Sequence, residues 1–313
     1  IDSLTKGKLV IPEGVYNLDA TVVGKQDVYI KGAGAGVTTL KATGNFAAID
    51  FVGAQGAVIN RGGVSDLTIR GGVDTGVWAN TAAHGIRVKW CNRTKVENVI
   101  FYSCYHGIDT AHNFQCFFNH CSPNGAGTDQ NFIGVFCEEA STAPYNDNAN
   151  MFSNCIVQGV SKYGWRLRGF AGSKFTDCEG SDGEIGWYLG DATTFTGNTE
   201  FASFVNCVAD TTTSNGWKIS KGGASASFRR VRFINCWAGN TGSAGWLVED
   251  ADDCMWSNVT SISASNYGLY FDGCSNCTVS GGVLSDWGTN GIILTNSTNR
   301  VVVNSISGAG DVG

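Results

Sequence analysis

The chain has 313 residues, of which 42% are apolar and 15% charged, so it can bury a large core. The formal net charge is −6 and the sequence contains no run of Lys and Arg, which argues against nucleic-acid binding, because phosphates are bound by clustered cations. No apolar stretch approaches the roughly 20 residues of a membrane span, so we expect no membrane partner.

The first 46 residues do not follow the repeat that dominates the rest of the chain. Residues 9–16 predict a strand, a turn and the start of a second strand. Residues 26–34 and 38–42 predict two further strands, because apolar and polar residues alternate there. Residues 47–81 predict two less regular turns of chain.

From residue 85 onward one four-residue pattern recurs: Gly, an apolar residue, any residue, an apolar residue. Successive glycines are 22 to 30 residues apart. A short segment that recurs at such intervals predicts a solenoid, in which each unit buries its apolar face by stacking on its neighbours. The period-two alternation favours strands over helices. The pattern occupies 85–88, 107–110, 134–137, 164–167, 186–189, 216–219, 245–248, 268–271 and 291–294.

The apolar residues of this pattern are predicted to point into the solenoid. Four of them are tryptophans, so we expect a buried ladder of Trp165, Trp187, Trp217 and Trp246. The 12 Cys include six at the end of a Phe-x-x-Cys frame, and we interpret the Cys as reduced core residues. Disulfides or a metal site are the alternatives.

The third residue of the pattern, and the residue two positions further on, are predicted to face outward. This outer strip mixes carboxylates, cations and aromatic rings, which suits an extended sugar polymer, since rings stack on sugar faces and Arg binds acidic groups through paired hydrogen bonds. A solvated face and a subunit interface are the alternatives. The predicted substrate-binding residues are Arg87, His84, Arg166, Arg168, Tyr188 and Lys218.

Glycoside hydrolysis needs two carboxyl groups, about 5 Å apart for retention and about 6.5–9.5 Å apart for inversion. Asp109 and Glu138 lie on adjacent rungs, at a predicted Cα separation of about 8 Å, which would suit inversion. His106 stands beside them, directly above His84 of the preceding coil, and either tunes the acids or binds an anionic sugar. The predicted catalytic residues are therefore Asp109, Glu138 and His106.

Two other carboxylate pairs compete with this assignment. Glu249 and Asp272 occupy the same outward position on successive rungs, near the distance for retention, and Asp182 and Glu184 lie in the turn before Gly186. A lyase would instead need a base such as His106, Tyr188 or Lys218, and an Arg to neutralise a uronate. No metal or other cofactor is predicted.

Residues 10–16 (Val-Ile-Pro-Glu-Gly-Val-Tyr) followed by 28–34 (Val-Tyr-Ile-Lys-Gly-Ala-Gly) resemble the opening of pectate-lyase-like right-handed parallel β-helices, particularly phage tailspike and capsule-depolymerase proteins. The resemblance implies an all-β solenoid with three strands per coil and roughly a dozen coils. It also implies that residues 1–46 form an N-terminal capping segment and the first coils, whereas 47–313 form one continuous β-helix body.

The same resemblance implies a depolymerase that binds and hydrolyses a bacterial capsular or lipopolysaccharide glycan, as a homotrimer on a virion tail or otherwise outside the cell. The sequence lacks the Asn-Thr-Asp, Asp-Asp, Gly-His-Gly and Arg-Ile-Lys set of polygalacturonases and the clustered acids of the pectate-lyase calcium site. Pectin is therefore not the expected substrate. A polysaccharide lyase of the same fold and a non-catalytic glycan-binding or structural β-helix are the alternative functions.

Overall fold

The computed structural model describes residues 5–72, 81–125, 131–137, 147–190, 198–222, 226–297 and 300–309. These residues form β-strands joined by turns, and the paired strands run parallel. No helix within the described ranges is long and apolar enough to span a bilayer. The fold is the predicted all-β, right-handed parallel β-helix.

The chain divides into two compact units, which we describe in turn. Unit 1 comprises Ile1–Glu138 and Asp147–Ser161, and unit 2 comprises Glu139–Asn146 and Lys162–Gly313. In each unit we call the strands that carry the glycine-led pattern sheet 1, and the strands around the Phe-x-x-Cys frame sheet 2. The predicted boundary after residue 46 stays a prediction.

Unit 1 builds both sheets from consecutive coils, and residues before position 47 already contribute strands to them. Sheet 1 consists of Val22–Val23, Ile49–Val52, Ile86–Lys89, His106–Ala111 and Ile133–Cys137. Sheet 2 consists of Gly7–Val10, Gly14–Leu18, Val28–Lys31, Thr38–Ala42, Gly63–Arg70, Lys95–Tyr102, Phe117–Pro123, Met151–Ser153 and Ile156–Val157. Short strands at a third side are Ile59–Asn60, Cys91–Asn92 and Asp147–Asn148.

Unit 2 repeats the same arrangement with more regular coils. Its sheet 1 consists of Tyr163–Leu167, Ile185–Leu189, Trp217–Ser220, Ala244–Glu249, Tyr267–Asp272 and Asn290–Thr295. Its sheet 2 consists of Lys174–Thr176, Glu179–Ser181, Ser203–Val205, Val208–Thr212, Arg232–Ile234, Trp237–Thr241, Met255–Ala264, Thr278–Ser285, Val302–Asn304 and Ser307–Ala309. The third side has Phe170–Ala171, Asn198–Glu200, Ser227–Arg229 and Ala251–Asp252.

The predicted tryptophan ladder fills the interior of unit 2. The rings of Trp165, Trp187, Trp217 and Trp246 are fully buried and stack with centroid separations of 4.4, 4.8 and 4.7 Å. Each indole N–H donates to a backbone carbonyl, at distances from 2.8 to 3.2 Å. The polar atom of each buried ring is thus satisfied, and the prediction is confirmed.

The glycines that lead the repeat are required by close packing between coils. A Cβ on Gly85 would lie 2.4 Å from the carbonyl oxygen of Gly107, and a Cβ on Gly186 would lie 2.9 Å from that of Gly216. Neither contact leaves room for a side chain.

All 12 cysteines are buried and free, as predicted. Burial raises the pKa of Cys91 and of Cys104 to about 12, so both stay as neutral thiols in the core.

Candidate active site

Asp109 lies in the middle of strand His106–Ala111 of unit 1, at the third position of the repeat. Its register partners are Arg87 on the preceding coil and Phe136 on the following one, and Arg87 in turn pairs with Asp50. The predicted outward ladder therefore exists. The side chain of Asp109 is nevertheless only 2% exposed, so the expectation of an open strip is wrong at this rung. Every residue of strand His106–Ala111 is buried.

Two basic side chains contact one oxygen of Asp109. Lys89 Nζ lies 2.9 Å from Asp109 Oδ2, and His84 Nε2 lies 3.8 Å from the same oxygen. The ammonium group thus provides an opposite charge for this buried carboxyl group. Arg87 forms a two-pronged ion pair with Asp50, with Nε 2.7 Å from Oδ1. Opposite charges thus alternate along the ladder.

The two histidines pack against each other on successive coils, as the sequence predicts. Their ring centroids are 4.8 Å apart, and His106 also packs against Tyr105 at 4.7 Å and Phe136 at 4.3 Å. Burial, together with the positive charges of Arg87 and Lys89, lowers the pKa of His84 to about 3. His84 is therefore neutral at neutral pH.

Buried Asp147 forms hydrogen bonds with residues at the end of strand His106–Ala111. This residue was not predicted from the sequence. Its Oδ2 accepts hydrogen bonds from Thr110 Oγ1 at 2.8 Å and Cys137 Sγ at 2.7 Å, and its Oδ1 accepts one from the Asn113 N–H at 2.7 Å. Burial raises the pKa of Asp147, and these three donors act in the opposite direction. Asp147 follows a segment without repeat pattern, so no sequence signal pointed to it.

Three further members of the cluster were not assigned a role from sequence. Lys89 lies two positions beyond the third residue of its repeat, on the strip predicted to face outward. Its ion pair with Asp109 depends on the conformation of a long side chain, which the repeat does not specify. Tyr105 directly precedes His106, which is the signal that could have identified it. Asp50 lies on a coil that precedes the recognisable repeat, and extending the register backward from Arg87 would have found it.

The cluster contains ligand types that metals use. Donor atoms of His84, His106 and Asp109 lie within 4.8 Å of one another. The ammonium group of Lys89 already neutralises the carboxylate and would repel a cation at that oxygen. The donor set therefore fits an ion pair beside two imidazole rings better than a metal centre.

Glu138, the predicted partner of Asp109, lies outside the described residues, so the Asp109–Glu138 pair stays a prediction. The predicted binding residue Arg87 is half-buried and engaged by Asp50. His84 belongs to the cluster around Asp109, as predicted.

The other predicted binding residues lie in unit 2. Arg166, Tyr188 and Lys218 occupy one register position on successive rungs, as predicted. Lys218 Nζ lies 5.1 Å from the ring centroid of Tyr188, and Arg166 Cζ lies 5.2 Å from that of Tyr163. Arg168 follows the end of the same strand as Arg166. Arg166 and Lys218 thus form a surface on which each cationic group packs over a tyrosine ring.

Both rival carboxylate pairs also lie in unit 2. Glu249 and Asp272 are register partners on adjacent rungs, as predicted, and Asp272 Oδ1 accepts a hydrogen bond from Asn296 at 2.8 Å. Asp182 and Glu184 are exposed in a turn. Partial loss of hydration and the neighbouring Asp210 raise the pKa of Asp182.

No protein-family model matches the sequence, and no curated protein matches it either. Solved structures do match over most of the chain. The A-module of mannuronan C-5 epimerase AlgE6 from Azotobacter vinelandii is 14% identical, with a TM-score of 0.59, over 98% of this chain and 92% of its own. PfbA, a surface adhesin of Streptococcus pneumoniae, is 11% identical, with a TM-score of 0.63, over 93% of this chain and 85% of its own.

The catalytic domain of a GH87 α-1,3-glucanase is 13% identical, with a TM-score of 0.63, over 94% of this chain and 63% of the glucanase chain. At such identities the similarity establishes the fold alone. Both the strand register and these structures lead to one conclusion: the chain has the fold of pectate-lyase-like right-handed parallel β-helices.

Proposed function

We propose that this protein is an enzyme that processes an acidic polysaccharide by removing the proton next to a uronate carboxylate. The carrying observation is the cluster in unit 1, where buried Asp109 contacts Lys89 and His84, with the His106 ring packed against His84. A single carboxyl group held by a cation, beside two imidazole rings, suits proton transfer better than the paired carboxyl groups of a hydrolase.

The roles follow from charge and position. Arg87 and Lys89 provide positive charge for the sugar carboxylate, which becomes more negative as the neighbouring proton leaves. His106 is the base nominated from the sequence, and Tyr105, whose ring lies 4.7 Å from it, is the proton donor. Asp109 holds Lys89 in place.

In an elimination, the proton on C5 passes to His106 and its electron pair forms the double bond between C4 and C5. The bond between C4 and its glycosidic oxygen breaks, and that oxygen leaves with a proton from Tyr105. The structural similarity to a mannuronan epimerase and an α-1,3-glucanase, both named for polysaccharide substrates, supports a polysaccharide as the substrate class.

The test is to incubate the protein with polymannuronate, polygalacturonate, α-1,3-glucan and a panel of bacterial capsules, and to weigh the products. Elimination gives unsaturated ends that absorb in the ultraviolet, without added water. His106→Gln should lower the rate about 10²–10⁴-fold with substrate binding retained, whereas exposed His120→Gln should not. Products that contain one added water per cleavage would contradict proton abstraction.

Hydrolysis is the second candidate, because Glu249 and Asp272 are register partners on adjacent rungs of unit 2, close to the retaining separation. The sequence resemblance implies that such a hydrolase is a tailspike-type depolymerase of a bacterial surface glycan. The single variants Glu249→Gln and Asp272→Asn should then each abolish cleavage. The single variants Asp109→Asn and Glu138→Gln test the catalytic pair predicted from the sequence. A homotrimer on a virion tail or outside the cell is part of this candidate, and sedimentation tests the trimer.

If no polymer in the panel is altered but one is bound, a glycan-binding protein replaces both enzymatic proposals. The similarity to an adhesin supports that outcome.

A further inference from the structure

Trp90 and His112 occupy an unusual backbone position in unit 1. Each is the fifth residue after the glycine that leads its repeat, where sheet 1 ends and the chain turns. Their φ angles are 54° and 57°, which is the left-handed region. A side chain with a Cβ is disfavoured there, and a bulky aromatic residue is a clear outlier.

Unit 2 fills the same position with residues that tolerate this backbone. The corresponding left-handed residues are Gly169, Asp250, Gly273 and Asn296, with φ from 47° to 64°. Gly, Asn and Asp are the residue types that adopt this conformation at least cost. The turn therefore does not need an aromatic side chain. The left-handed conformation itself is common in this chain, and bulky residues such as Arg93 and Phe201 also adopt it. The unit 1 pair differs from its unit 2 counterparts because it places two aromatic rings at this position.

The two rings form one stacked pair. Their centroids are 4.3 Å apart with an interplanar angle of 25°. The backbone N–H of Trp90 donates to the backbone carbonyl of Ala111 at 3.0 Å, and this bond joins the two coils. Both side chains are partly exposed, in contrast to the buried tryptophan ladder of unit 2. A partly exposed indole held by a second ring is a rigid aromatic surface.

This pair lies at the other end of the strand that begins with the proposed base His106. Trp90 directly follows Lys89, whose Nζ contacts Asp109 at 2.9 Å. His112 is three residues beyond Asp109 and six beyond His106, about 10 Å and about 20 Å for an extended segment. A polymer that places its reacting sugar at His106 and continues along the strand would therefore bring a more distant sugar over the aromatic pair.

We propose that Trp90, supported by His112, is a sugar-binding subsite that stacks on the apolar face of a pyranose ring several units from the reacting sugar of the same polymer. The indole provides apolar area with little loss of side-chain freedom on binding. The position relative to the reacting sugar rests on the function proposed above, whereas the stacking itself does not.

The test uses Trp90→Asn, because Asn accepts the left-handed backbone while removing the ring. Polymannuronate, polygalacturonate and α-1,3-glucan are the probes, and binding is measured by affinity electrophoresis beside thermal unfolding. We expect affinity for the bound polymer to fall about 10-fold. The thermal midpoint should equal or exceed that of the wild type, since backbone strain is relieved. Trp90→Phe should keep most of the affinity.

Phe201 in unit 2 is the matched control. It is aromatic, 56% exposed and also left-handed, with φ of 55°. Phe201→Asn should therefore gain the same backbone relief without loss of polymer binding.

If Trp90→Asn binds the polymer as tightly as the wild type, whatever its thermal midpoint, the subsite is overturned and the proposed function stands. If Trp90→Asn binds the polymer more weakly than the wild type does, but the wild type changes no polymer chemically, the subsite is supported and the proposed enzymatic function is contradicted. Binding of none of the three probes by the wild type contradicts both.

Discussion

The two units use one repeat and differ at its outer positions. At the third position unit 1 has Asp109, which is buried, paired with Lys89 and next to stacked histidines. At the same position unit 2 has Arg166, Tyr188 and Lys218, which are half-buried and lie against tyrosine rings. Unit 1 therefore has a compact polar cluster suited to proton transfer. Unit 2 has an extended cationic surface suited to holding a polymer.

The interiors of the two units also differ. The inward residues of sheet 1 are tryptophans on the first four rungs of unit 2, followed by Leu269 and Ile292, but Ile86, Ile108 and Val135 in unit 1. Regular aromatic stacking accompanies the regular coils of unit 2. Unit 1 has smaller inward side chains on sheet 1 and a buried carboxyl group, Asp147, that accepts a hydrogen bond from Thr110. The cluster around Asp109 therefore lies in the less regular coils.

The largest expected effect concerns the interior of unit 2. Trp187→Ala should lower the free energy of unfolding by about 3–5 kcal/mol, because the ring is fully buried between two others. Ile108→Val in unit 1 should cost only about 0.5–1.5 kcal/mol. Denaturant unfolding measures both, with half-exposed Val283→Ala as the surface control. Equal losses for the two core variants would remove the proposed contrast.

The second prediction concerns the support beneath the cluster of unit 1. Asp147→Ala leaves the Thr110 hydroxyl and the Asn113 N–H without their acceptor, and should destabilise the protein by at least about 2 kcal/mol. Exposed Asp19→Ala, which loses one hydrogen bond from Thr43, should cost much less. Comparable losses would show that the buried network does not support the site.

The third prediction is a pH dependence of stability that arises from His84 in unit 1. The pKa of His84 is lowered from 6.5 to about 3, so between these pH values the unfolded chain binds a proton that the folded chain does not. Stability should therefore fall on acidification through this window, by up to about 1.4 kcal/mol per pH unit from this residue. His84→Asn should flatten the slope, and exposed His120→Asn should leave it unchanged.

The smallest expected effect tests the cationic surface of unit 2. Lys218→Met removes the ammonium group over Tyr188 and should weaken binding of an acidic polymer about 2- to 5-fold, or about 0.5–1 kcal/mol. The loss should shrink at high salt, since exposed charges are screened. Exposed Lys41→Met serves as the control. If salt does not change the loss of affinity, Lys218 contributes to polymer binding through packing rather than through its charge.

Part of the candidate site followed from the repeat. The spacing of the glycines placed His84 under His106 and aligned Arg166, Tyr188 and Lys218, and the structure has these alignments. Parallel strands in register translate sequence spacing directly into neighbours on adjacent coils, so the prediction needed no side-chain detail. The burial of Asp109 and its pairing with Lys89 were not predictable in this way, because they depend on how long side chains fold over the strand.

By itself, the sequence determined the coil, its buried face and its thiol core, because these recur at each repeat and local alternation specifies them. Only the tertiary structure decided which outer residues form a site. Asp147 enters from a stretch without repeat, and the aromatic pair at Trp90 is recognised only from its backbone angle and its contact with His112. Such features depend on contacts between distant residues, and a repeating pattern does not encode them.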